Sequence, residues 1–313
     1  NAYCMGSGMA VSKSFVIWAE RYLQNKHFGK HQECNTRCLI DKVTRFEDEH
    51  KHPMNIDSMT ADDLRVFADF LSSDYDISMN TIVTNMTLMR TVCNWVRKQG
   101  VTNNDPFFGY DMPKALYGTP YFLTIQERDQ VLDADLTDDA ELAEYRDMFV
   151  FQCMVGCRHS DLVTFTPKNI IDGVLEYIPI KTKGKLGDVV RVPLIPKAMA
   201  ILDGHDHGDD EPIFPKHYNF KFNDAIRRIL KRAKVNRVVT VINPKTRLEE
   251  KKPISDVATS HLARRTFIGN LYRMVKDPDL VASMSGLAKG SVAFARYRVI
   301  DDDMKKSLVE LIQ

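Results

Sequence analysis

The sequence predicts a mainly α-helical protein: an N-terminal helical bundle over residues 1–105, a linker over 106–120, and a mostly helical second domain over 121–313 with a small antiparallel sheet. Three observations predict it. Apolar residues recur at helical spacing through the first hundred positions, a stretch rich in Pro, Gly and Asn then interrupts them, and strand-like alternation appears only between Ile170 and Leu194.

Four helices account for the first hundred residues. Phe15, Trp18, Ala19 and Tyr22 fall on one helical face, and Leu39, Ile40, Val43 and Phe46 repeat the pattern. Thr60 followed three residues later by Asp63 is a capping signal, and Leu64, Phe67, Phe70 and Leu71 give that helix its buried side. Ile82, Met86, Met89, Cys93 and Val96 define a fourth helix that stops at Gly100. Asn103, Asn104, Asp105, Pro106, Gly109, Pro113, Gly118 and Pro120 then mark the boundary.

Thr124 and Glu127 restart helix with a second capping pattern, and an apolar stretch follows through Met148 to Gly156. Ile170 and Ile171 precede Asp172-Gly173, a two-residue hairpin signal, so Val174–Ile180 reads as a strand; Val189–Leu194 alternates as its partner across a loop of Lys and Gly. From about Lys216 helices are expected to dominate to the end.

At 313 residues the chain exceeds one ordinary core. A net charge of +1 excludes a uniformly basic coat protein but allows a local stripe of cations. No apolar run reaches the roughly 18 residues a membrane span needs. No secretory leader is visible, and Asn1–Met9 is small and polar without periodicity. The six cysteines then read as reduced thiols in a cytoplasm. Cys153 and Cys157, within an apolar stretch, read as buried small hydrophobes. His27, His31, Cys34 and Cys38 have the spacing of zinc ligands on a helix, but Gly29 interrupts it, and no metal is expected.

Four segments of the second domain bear on phosphodiester chemistry. Arg158 follows a glycine break, with Asp161 one turn on; a guanidinium fork matches phosphate oxygens and a carboxylate can hold it, although such a pair is ordinarily a surface ion pair. Lys181, Lys183 and Lys185 crowd the hairpin tip, ordinarily a solvated turn. His261 and Arg264, three apart, share a helix face that can neutralise developing charge, with Phe267, Ile268 and Leu271 to pack it. Tyr297 stands between Arg296 and Arg298, where a phenolate would be stabilised.

In order and spacing, Arg158, Lys181, His261/Arg264 and Tyr297 resemble the tyrosine recombinase (phage integrase) family, and most closely the integrases of mobile elements. The resemblance spans essentially the whole chain. It implies a helical DNA-clasping module, a linker and a catalytic domain. It places the nucleophile at Tyr297, with Tyr272 too close to Arg264 to serve. Arg158, Arg264 and His261 would hold the nonbridging oxygens, Asp161 would support Arg158, and Lys181 would protonate the leaving 5′-oxygen, with Lys183 as the alternative. Transesterification conserves the phosphoester bond, so neither ATP nor a metal is required. One departure stands out. The family places His or Trp just after a glycine shortly before the tyrosine; here Leu287 follows Gly286, leaving Ser285 or Lys289 as substitutes, or no donor at all.

Arg227, Arg228 and Lys231, on the polar side of a helix buried through Phe222, Ile226, Ile229 and Ala233, join Lys183, Lys185 and Arg265 as candidate DNA contacts. Asp301–Asp303 followed by Met304, Leu308, Val309 and Leu311 reads as a capped amphipathic helix. In the family such tails dock on a neighbouring protomer, which implies a homo-oligomer, a tetramer, on double-stranded DNA, with accessory DNA-bending proteins as further partners. A DNA-binding relative without catalysis and a type IB topoisomerase-like enzyme are the alternative readings.

Overall fold

In the computed structural model the described residues are 13–25, 28–118, 120–180, 189–205, 208–287 and 309–310. They form two compact units: residues up to Tyr117 together with Ile242–Leu248, and Gly118–Val241 together with the residues from Glu249 onward. The architecture is mainly helical, with small antiparallel sheets.

The first unit holds α1 (Phe15–Gln24), α2 (Lys30–His50), α3 (Ala61–Ser73) and α4 (Met79–Lys98). Each begins where its cap residue dictates. Ser14 and Ser78 accept from the amides of Ile17 and Thr81, and Gly29 precedes α2. Thr60 and Asp63 form a full reciprocal capping box on α3. The apolar stripes meet around Phe46, whose ring lies 5.3 Å from those of both Phe67 and Phe70. Fully burying each such side chain contributes about 1.5–3 kcal/mol. Residues of the expected linker continue this unit: Phe107, Tyr110 and Met112 pack on its core, and Asn80 exchanges two hydrogen bonds with Leu116. Segment Ile242–Leu248 is held here as well, since the Met79 amide donates to Pro244 O, Lys245 pairs with Asp76, and Arg247 Nη2 donates to Lys114 O.

The second unit is built on α6 (Ala140–Val155), whose residues are buried almost all round from Met148 to Val155. Around it lie α5 (Ile125–Leu132), α7 (His159–Leu162), α8 (Pro196–Asp203), α9 (Asn219–Arg232), α10 (Ile254–Val257), α11 (Ser260–Val275) and α12 (Pro278–Ser285). Strands β1 (Ile170–Ile171), β2 (Val174–Tyr177) and β3 (Val190–Pro193) form one antiparallel sheet in sequence order, with Glu176 opposite Arg191. Asp172 and Gly173 both take positive φ, 50° and 73°, as a type I′ hairpin turn requires.

Two expectations need correction. Strand β2 ends at Tyr177 rather than Ile180, because Pro179 supplies no amide for a ladder. Helix does not run unbroken after Lys216: β4 (Val238–Ile242) and β5 (Glu249–Pro253) form a second sheet between α9 and α10. Helix α8, which starts on Pro196, was not expected either.

Candidate active site

Helix α6 ends because Gly156 turns left-handed, with φ 70°. A Cβ there would stand 2.2 Å from the Phe267 ring of α11, so only glycine allows these two helices to approach so closely. The crossing brings Arg264 onto the end of α6. Its Nη1 donates to Gly156 O at 2.7 Å, and the residue is only 2% exposed. A buried guanidinium thus satisfies a terminal helix carbonyl.

Two residues beyond Gly156, Arg158 begins α7 in extended conformation. Its side chain, 23% exposed, reaches Gly286 O at 3.4 Å, and Nη1 lies 4.0 Å from Asp161 Oδ2. Asp161 is buried. Its Oδ1 accepts the Ile180 amide at 2.9 Å, so one carboxylate faces Arg158 and also fixes the residue just before Lys181. Arg158, Asp161 and Arg264 are therefore linked through the ends of α6, α7, α12 and the strand that leads to the hairpin tip. His261, in the first turn of α11, is exposed whereas Arg264 is buried, so the two residues present very different surfaces to solvent.

Polar atoms buried here without a hydrogen-bond partner among the described residues include His159 Nε2, Asp161 Oδ2 and Tyr177 Oη. Burial pushes the Tyr177 phenol well above the usual range, with the Cys157 thiol raising it further. Burial also lowers His159, assisted by His217; its ring stacks on Phe222 at 5.0 Å. Tyr177 was not singled out from sequence, although inward alternation with Leu175 along β2 is a signal for it.

Lys181, Lys183, Lys185, Lys289 and Tyr297 lie outside the described residues, as do His27 and Asp301–Asp303. Ser285 is fully buried and its hydroxyl donates to Val281 O at 2.8 Å. Leu287 packs with Ile268 and Val281. The candidate DNA cations among the described residues are engaged within the protein: Arg227 with Asp224, Arg228 with Asp139, Lys231 with Asp256, and Arg265 over the Tyr121 ring at 5.2 Å. Phosphates would have to compete for them.

Among the described residues no group of three or more His, Cys, Asp or Glu is arranged to hold a metal ion. No helix among them is long and apolar enough to cross a membrane.

These features define a protein of the integrase fold. Residues 14–112 match the phage integrase SAM-like domain. The Tn1549 transposon integrase in complex with a circular intermediate DNA superposes with a TM-score of 0.72 at 15% identity, covering 96% of this chain and 99% of that one. A lambda integrase dimer bound to a COC′ core site gives 0.67 at 14% identity, covering 91% and 95%. No curated protein matches in sequence. At such identities the likeness is one of fold.

Proposed function

We propose that this chain is a tyrosine-type site-specific recombinase, with residues 1–105 as the DNA-clasping module, 106–120 as linker and 121–313 as the catalytic domain. The observation that carries the reading is that Arg264 bonds Gly156 O two residues before Arg158, whose own side chain reaches Gly286 O, with Asp161 bonded to the residue before Lys181. Two guanidinium groups so held, with an exposed imidazole on the same helix as one of them, are suited to the charge that develops on a phosphate under attack.

In this mechanism Tyr297 Oη attacks the scissile phosphorus as the bond to the 5′-oxygen breaks. The product is a 3′-phosphotyrosine and a 5′-hydroxyl. Arg158, Arg264 and His261 bind the nonbridging oxygens, and Lys181 delivers the proton that the leaving oxygen takes up. Reversal with a different 5′-hydroxyl exchanges strands without ATP. The partner is double-stranded DNA, contacted also through Lys183, Lys185, Arg227, Arg228, Lys231 and Arg265. The DNA complexes of the Tn1549 and lambda integrases support that assignment, and the lambda dimer supports assembly of several protomers, up to a tetramer, on the site. Such a protein would act in the cytoplasm, with DNA-bending proteins as accessory partners.

A nicked suicide substrate tests this: wild type traps a covalent complex, whereas Tyr297→Phe binds the same DNA and traps none. A complex persisting in that variant would refute the assignment. A second reading, a DNA-binding relative with weakened catalysis, is favoured by Leu287, which packs into an apolar cluster where the family places a phosphate donor.

A further inference from the structure

We propose that Asn219 and Asn223 of α9 are positioning residues for His261, an inference that rests on the recombinase reading. The first amides of any helix have no acceptor within it. Thr259, which precedes α11, makes no side-chain cap. The acceptor comes instead from a neighbouring helix: Asn223 Oδ1 accepts the Ser260 amide at 2.8 Å, and Asn219 Oδ1 accepts the Ser260 hydroxyl at 3.2 Å. Four residues apart, the two asparagines share one side of α9. Asparagine is a poor helix former, and Asn223 lies inside α9, so the bond to Ser260 offsets a local cost.

Helix α11 is thereby fixed at two points about one turn apart. Ser260 is held on α9, and Arg264 is held on the end of α6. His261, directly after Ser260, lies between them and is exposed. Leu262 and Ala263, buried in the core, hold the apolar side of the first turn, and the asparagines hold its leading amide and hydroxyl at Ser260. The residue that bears the imidazole is thus placed before DNA arrives, so the cost of ordering it is met in folding rather than in the transition state.

The test compares Asn223→Leu, which removes the acceptor at similar volume, with Asn223→Asp, which keeps an acceptor and places a favourable negative charge at the start of α11. Single-turnover formation of the covalent complex and equilibrium DNA affinity are measured for each, together with amide exchange in a peptide spanning residues 259–263. Asn223→Leu is expected to form the complex about 10- to 100-fold more slowly with affinity changed less than about 2-fold, and Asn223→Asp to recover to within about 3-fold of wild type. Exchange in the peptide should accelerate in the leucine variant only. Wild-type cleavage by Asn223→Leu, or equal slowing by both variants, overturns the proposal. If wild type itself forms no covalent complex, the recombinase reading fails instead; the exchange measurement then decides the tether, and unchanged exchange in Asn223→Leu overturns it.

Discussion

Arg264 donates from Nη1 to Gly156 O at 2.7 Å, so a guanidinium one turn beyond His261 also closes the end of α6. Because Arg158 starts two residues after Gly156, the same bond sets where the other arginine leaves the backbone. Folding the core and positioning both arginines are therefore one event here.

Gly156→Ala should fail on two counts. It places a side chain at φ 70°, and its Cβ would fall 2.2 Å from the Phe267 ring. Thermal or denaturant unfolding should show a loss of about 1–3 kcal/mol from overpacking, together with slower covalent-complex formation because α6 and α11 must separate.

The two arginines should differ on removal. Arg158 is partly exposed and makes one long hydrogen bond beside its 4.0 Å approach to the buried Asp161, so Arg158→Ala should cost less stability than Arg264→Ala while slowing cleavage by about 10²–10³. Arg264→Ala should cost cleavage and also stability, about 1–3 kcal/mol, because it leaves Gly156 O buried without its donor. Calorimetry beside the suicide-substrate assay checks the contrast.

Leu287→His restores the family's donor after Gly286. Covalent-complex formation should rise by about 10²–10³ if that donor is missing, at a cost of about 1 kcal/mol as Leu287 leaves Ile268 and Val281. A variant no faster than wild type would show that another group already fills the role.

His159 should make stability depend on pH. Burial, then His217, lowers its pKa below the ordinary 6.5, so the unfolded chain takes up the proton first as pH falls. Its contribution is complete above the unfolded value and is lost as pH drops from there toward the lowered folded value. Denaturant melts across this window should show a steeper decline for wild type than for His159→Gln.

Much of the fold was legible because local signals agreed with tertiary packing. The Thr60/Asp63 and Thr124/Glu127 boxes formed as expected, and Asp172-Gly173 took the I′ turn. The β4–β5 pair is hard to read because β5 (Glu249–Pro253) is charged and largely exposed and the connecting segment takes positive φ at Arg247 rather than at a glycine, although β4 (Val238–Ile242) is itself rich in β-branched residues. In the site, His261 and Arg264 were readable as an i, i+3 pair. The bonds from Arg264 to Gly156, from Asp161 to Ile180 and from Ser260 to α9 were not, since each joins residues far apart in sequence. Periodicity reports which side of a helix is apolar, not which distant carbonyl its arginine will meet.

The most direct test is mass-spectrometric mapping of the peptide that carries DNA after a nicked substrate is trapped. The account predicts a 3′-phosphonucleotide on Tyr297 alone. A nucleotide on Tyr272, or on any side chain other than Tyr297, would contradict it.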